Sequence, residues 1–258
     1  MSKRKNSVEA LLMAIPRSKT TELRGERSIA RQKLWRLRMV RKTEGERKSV
    51  PHPVEIPTDP NEIARLEARN ALRQFDAVIK IIDDALQSDR PFKLRPSIAL
   101  ELHRLATLGT DEHAGVYRPH PVEISGSAHQ PPPQEDVPWL VEEMCDYVND
   151  NWDCPPVHLA AYLMWRTNWI HPFSDGNGRT ARAISYTVLC IRLGYLLPGT
   201  KTIPEQIAAN KFPYYDALEA ADKAYKEDRI DVSALEKLLS DNLAEQLVHV
   251  HQAATGQP

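Results

Sequence analysis

Proline placement, more than any other feature, restricts what this chain folds into. Pro60, Pro96, Pro138 and Pro156 each stand at the head of a run whose apolar residues recur at three- and four-residue steps. Proline suits the first position of a helix, where its missing N–H has no partner to lose, and breaks helices further in. After Pro60 the spacing is set by Ile63, Leu66, Phe75, Val78, Ile79, Ile82 and Leu86, so residues 60–88 are expected as one amphipathic helix. Further helices are expected at about 96–108, 138–150, 156–170, 177–193, 213–227 and 232–251. Gly109–Pro133 differs, with three glycines, five prolines and the alternating Val122–Glu123–Ile124. That stretch reads as an extended loop or a short hairpin. The expected fold class is all-α with one hairpin-like insertion.

At 258 residues the chain has room for one large domain, or one domain and a small appendage. The division expected is a basic extension and Pro-containing linker over residues 1–55, a helical domain over 56–230, and a C-terminal helix and tail over 231–258. Pro51, Pro53 and Pro57 punctuate the linker. The formal net charge of −1 hides an imbalance: residues 1–50 carry 15 Lys and Arg against 5 Asp and Glu, while the rest of the chain is net acidic. Such an arm either binds nucleic acid, an anionic surface or an acidic partner, or lies solvated as a partly helical extension. The apolar stretches Val157–Trp165 and Ala183–Ile191 stop at Arg166 and Arg192, short of the roughly 20 residues that a membrane-spanning helix needs. Glu9 and Arg17 likewise cut short the apolar run Ala10–Ile15, so no secretory leader is expected. Three cysteines without Cys-x-x-Cys spacing point away from a disulfide framework or zinc ribbon and toward a reducing cytoplasm. The expectation is a soluble protein with no membrane association.

One segment concentrates chemistry: Trp169-Ile-His-Pro-Phe-Ser-Asp-Gly-Asn-Gly-Arg-Thr-Ala-Arg182. Pro172 ends the preceding helix and leaves His171 at its C-terminus. A new helix starts near Asn177, and the unpaired N–H groups and positive dipole of a helix start favour an anion. Gly176 and Gly178 let a phosphate approach the backbone closely. Arg179 and Arg182, three residues apart, share a face and suit bidentate phosphate recognition. Asp175 is positioned to hold Mg²⁺ on phosphate oxygens, and His171 is the residue type used as a general base near neutral pH. Each residue alone has a plain structural explanation: a helix cap for His171, a turn for Asp-Gly-Asn-Gly, ion pairs with Glu142 or Glu143 for the arginines. The conjunction within twelve residues favours a phosphate-handling site.

This segment resembles the signature of the Fic (filamentation induced by cAMP) family, His-x-Phe-x-Asp/Glu-Gly-Asn-Gly/Lys-Arg-x-x-Arg, matched at every defined position from His171 to Arg182. The similarity extends more loosely over residues 60–225, including Ala114-Gly-Val-Tyr-Arg118, which resembles the approach to the family's flap. The resemblance implies a helical core that transfers AMP from ATP to a Ser, Thr or Tyr hydroxyl of a target protein. His171 would be the general base and Asp175 the Mg²⁺ ligand. Gly176, Asn177 and Gly178 would form the anion hole, Arg179 and Arg182 would contact the β- and γ-phosphates, and Phe173 would anchor the loop. Family members that phosphorylate their targets have Lys at the second glycine; Gly178 favours AMP transfer. The stretch around Val122–Ser127 would be the flap that aligns an extended target segment.

Many members of the family also carry an inhibitory Ser/Thr-x-x-x-Glu-Gly/Asn helix whose glutamate pairs with the second motif arginine. Thr58-Asp-Pro-Asn-Glu62 fits its first part, but Ile63 departs from Gly/Asn, and Asp59-Pro60 is also a plain helix start. Glu67 is the rival candidate, with Ile63 in place of Ser/Thr. Self-association is a further expectation carried by the resemblance. The competing reading is a nucleic-acid- or partner-binding regulator that uses the basic arm and has a silent core. Other ATP-enzyme signatures, Gly-x-x-x-x-Gly-Lys-Ser/Thr and His-Glu-x-x-His among them, do not occur.

Overall fold

The structure, a computed structural model, describes residues 55–256, and the chain divides into two units, Met1–His52 and Pro53–Pro258. The basic arm lies outside the described residues. Within them the protein is all-helical, with eight α-helices and no strand. In chain order these are α1 (Pro60–Leu86), α2 (Pro96–Thr107), α3 (Val137–Asp150), α4 (Pro156–Ile170), α5 (Asn177–Leu193), α6 (Ile203–Ala209), α7 (Phe212–Tyr225) and α8 (Ser233–Thr255). None is long and apolar enough to cross a membrane.

The prolines act as expected: Pro60, Pro96, Pro138 and Pro156 each lie in the first two positions of their helix. Asp59 caps α1 by accepting the Asn61 N–H at 3.0 Å. The centre of the fold is the α4–α5 pair, which packs more extensively than any other pair of described helices. Both are buried almost all round, as helices at the centre of a helical domain are. The Ser185 hydroxyl donates to the Ala160 carbonyl at 2.8 Å between them. Helices α1, α2 and α3 cover one side, and α8 packs on α4, α6 and α7.

Two features differ from the sequence expectation. A short helix, α6, precedes α7; it is closed by a capping box in which the Thr202 hydroxyl and the Glu205 carboxylate serve each other's backbone N–H. The expected β-hairpin is absent. The 119–133 segment holds one turn, with Ser127 N–H on the Ile124 carbonyl at 3.1 Å, and no paired strands. Pro119, Pro121 and Pro131–Pro133 have no N–H to give a ladder, so the segment is held by side chains instead.

Candidate functional site

The site is built where α4 ends and α5 begins. His171 is the C-cap of α4 in a left-handed conformation, φ 50°, its N–H bonded to the Thr167 carbonyl at 3.0 Å. Its Nδ1 lies 3.4 Å from the Asn168 carbonyl. A carbonyl only accepts, so this contact places the proton on Nδ1 and leaves the Nε2 lone pair free. Burial pulls the imidazole pKa down to about 4, with Arg118 and His129 adding to the effect and the Asn168 and Asp175 contacts opposing it.

The loop between the helices is held from inside. Phe173 is fully buried and stacks on His103 of α2, the ring centroids 3.7 Å apart. His103 Nδ1 accepts the Gly115 N–H at 3.0 Å, so its Nε2–H donates to the Asp175 carbonyl, also at 3.0 Å. The buried Asn177 side chain bonds both the N–H and the carbonyl of Phe173, at 2.9 and 2.8 Å. The Asn177 side chain thus closes the loop, and its backbone N–H is the group it has left for a ligand. Gly176 is the N-cap of α5, with φ 74°, and the first intrahelical bond of α5 runs from Thr180 N–H to the Gly176 carbonyl. No side chain caps the helix, so the N–H groups of its first turn lack intrahelical partners. A Cβ on Gly176 would stand 2.7 Å from Thr107 Cγ2. Gly176→Ala adds at least about 1–2 kcal/mol of left-handed strain, and the melting temperature should fall by roughly 3–8 °C. An unchanged melt in a thermal scan would show that the loop can move away from α2. At Gly178 a Cβ would meet only the flexible end of Arg182, at 3.3 Å.

Arg179 does not pair with Glu142 or Glu143. Its guanidinium is shared between Asp175, at 2.8 Å, and Glu67 of α1, at 3.1 Å. Glu143 instead faces the buried Arg166, which lies over the Trp169 ring at 4.4 Å. Of the two glutamates considered for an inhibitory role, the structure brings only Glu67 to the motif; Glu62 lies exposed in the first turn of α1. The partner of Glu67 is the first motif arginine, whereas the resemblance implied the second. Arg182 is half-buried, which lowers its pKa, while Tyr214 and Tyr215 favour its charge. Its guanidinium stands between two cavities, one of about 560 Å³ over the motif and a more apolar one of about 500 Å³ between α1, α5 and α6.

The cavity over the motif gathers His171, Asp175, Gly176, Asn177, Gly178, Arg179 and Arg182. Sequence reasoning missed Asn168, Lys211, Tyr214 and Tyr215 on its other wall. Tyr214 is buried and its hydroxyl accepts from Asn168 Nδ2 at 2.6 Å, while Tyr215 is half exposed. Their only sequence signal was a Lys-x-x-Tyr-Tyr run at the start of a helix. Among the described residues no three His, Cys, Asp or Glu side chains gather into an all-protein metal cage. Asp175 offers one exposed carboxylate, a donor set that fits Mg²⁺ held largely by phosphates and water.

An uncapped helix start, two arginines and an imidazole surround one cavity, a set of groups chemically suited to a phosphate. The model of the Fic/DOC family matches residues 93–189 of the chain. Curated relatives include the protein adenylyltransferase Fic of Aedes aegypti, 32% identical over 161 residues, and that of Drosophila willistoni, 30% identical over the same length. These matches cover 61% of this chain, which spans 30% of the length of each relative. The fold is shared with a Fic domain containing signaling protein from Bacteroides thetaiotaomicron (TM-score 0.59, 23% identity, 86% of this chain and 80% of that one). It is shared too with residues 134–508 of Fic-1 from C. elegans (TM-score 0.56, 20% identity, 98% of this chain and 80% of that one).

Proposed function

We propose that this chain is a protein adenylyltransferase, transferring AMP from ATP to a Ser, Thr or Tyr hydroxyl of a target protein. The observation that carries this reading is His171, its Nε2 without a hydrogen-bond partner among the described residues, lining the same cavity as the uncapped N-terminus of α5. His171 Nε2 takes the proton of the target hydroxyl as that oxygen bonds to the α-phosphorus. The bond from the α-phosphorus to its bridging oxygen breaks, and pyrophosphate leaves. The backbone N–H groups of Gly176, Asn177 and Gly178 receive phosphate oxygens, and Arg179 and Arg182 hold the departing end. Positioning and charge neutralisation do most of the work in such transfers. Asp175 would hold Mg²⁺, which when bound supplies charge neutralisation on the phosphates.

Glu67 acts here as a brake, because it occupies Arg179 donors that a phosphate needs and brings a negative charge to the phosphate site. The test is intact mass after incubation with ATP and Mg²⁺. A gain of one AMP unit is expected, and Glu67→Ala should raise its rate roughly five- to tenfold, a change of about 1–1.4 kcal/mol in barrier. Glu62→Ala should leave the rate unchanged. A phosphate-sized gain would move the assignment to kinase-type transfer. No gain in any variant, together with no ATP binding, would overturn it. An unchanged rate in Glu67→Ala alone would remove the brake and keep the reaction.

A further inference from the structure

Arg118 is 2% exposed, yet its guanidinium meets no carboxylate within ion-pair distance among the described residues. All three of its side-chain bonds go to backbone carbonyls. Nε donates to His171 at 2.8 Å, Nη1 to His120 at 3.2 Å, and Nη2 to Pro132. Its own N–H donates to the Pro172 carbonyl at 2.9 Å. Burying a guanidinium with only carbonyls in hydrogen-bond reach is costly, even with the Glu135 charge favouring it from further away, and closing a loop does not require a charge. The arrangement uses what only arginine has, a rigid planar fork of N–H donors that can hold several acceptors at once.

The acceptors belong to two different parts of the site. His120 and Pro132 are the neck of the 119–133 segment, which leaves and returns at this one side chain. Ile124, from the middle of that segment, lines the cavity over the motif, and His129 Nε2 makes a second tie to the Trp169 carbonyl at 2.7 Å. His171 is one of only two non-glycine described residues with positive φ, a conformation that a residue with a Cβ holds only when its surroundings fix it. Its carbonyl is fixed by a charged donor, the stronger kind.

We propose that Arg118 is a positioning residue that locks the left-handed His171 and the neck of the 119–133 segment into one unit, so that base and covering segment are aimed together at the cavity. This rests on the reading of His171 as the general base. Arg118 touches no reacting atom, and the first turn of α5 is held separately by Asn177 and His103. Loss of Arg118 should therefore misdirect the imidazole while leaving nucleotide binding nearly intact.

The experiment compares wild type with Arg118→Gln and Arg118→Lys, each checked for helical circular dichroism and a cooperative melt. The His171 imidazole, assigned by its loss in His171→Ala, is titrated by NMR, and ATP affinity is measured by calorimetry. In Arg118→Gln the His171 midpoint should rise from near 4 toward 6.5, with ATP affinity within about twofold. AMP transfer should fall by about 10²-fold in kcat, the scale of a misplaced catalytic group, with KM for ATP little changed. Arg118→Lys, which keeps the charge but puts its donors on a single nitrogen in place of the planar fork, should lie between the two and serves if the glutamine variant does not fold. An unchanged His171 midpoint with an unchanged kcat would overturn the proposal, as would equal losses of ATP affinity and activity. Absence of transfer by the wild type would sink the adenylyltransferase reading alone and leave the titration to decide the role of Arg118.

Discussion

His171→Ala should abolish most AMP transfer, by about 10²–10⁴-fold in kcat, the range that a positioned general base contributes. The variant should bind ATP as the wild type does, because none of the anion-binding groups is supplied by the imidazole. Its fold should survive, since the left-handed carbonyl at position 171 stays bonded to Arg118 and the next loop residue, Phe173, is anchored by His103 and Asn177. The result separates two roles for a histidine at a helix end. A cap would show its loss mainly as lowered stability; a base shows it as lost rate at constant ATP affinity. Isothermal calorimetry beside a transfer assay makes the distinction, and a rate within about threefold of wild type would remove His171 from the chemistry.

The second large effect is a loss of stability on acidification. Burial pulls the pKa of His171 down to about 4 and holds His103 below its ordinary value as well. In the unfolded chain both titrate near 6.5. Between those values the unfolded state binds more protons, so stability rises with pH across that window and is lost as pH falls through it. For His171 alone the loss from pH 7 to pH 4 comes to about 3 kcal/mol, and the melting temperature should fall by roughly 6–12 °C. His103 adds to this, since its protonation ends the bond that Nδ1 accepts from Gly115. Thermal melts across the range check it. The fall should be visibly smaller in His171→Ala, and a melting temperature flat from pH 7 to 4.5 would contradict the neutral, buried imidazoles.

The sequence was most informative where one residue type has one physical use. Proline at a helix start set four of the eight described helices, and apolar spacing set most of the rest. Helix α6 went unseen because seven residues give too little periodicity, although Thr202-Ile-Pro-Glu205 carried the capping-box pattern. The hairpin was misread because a three-residue alternation was given more weight than the five prolines around it. Within the site, the motif residues were legible because they are contiguous and meet one ligand from one turn of chain. Their partners were not. Glu67 reaches Arg179 across 112 positions, and His103 reaches Asp175 across 72. No local spacing encodes such contacts; Glu67 was reached only through the family resemblance, and there as a partner of the second motif arginine, not of Arg179. Asn177 shows a subtler limit: the motif fixes its identity, but the same residue serves equally as ligand donor or loop staple until its side chain is seen.

Glu67 comes to Arg179 as part of the same chain. Its occupancy is therefore an intramolecular equilibrium, set by effective concentration and untouched by dilution. Release is also local. The residues of α1 ahead of Asn70 include none that is buried, and the buried residues of the helix are Asn70, Val78 and Ile82. Fraying of the first two to three turns frees the carboxylate without disturbing the α4–α5 centre, an opening from the low-energy end of the native ensemble. Conditions that loosen one exposed helix end should therefore change the availability of Arg179 well before they change the melting of the domain.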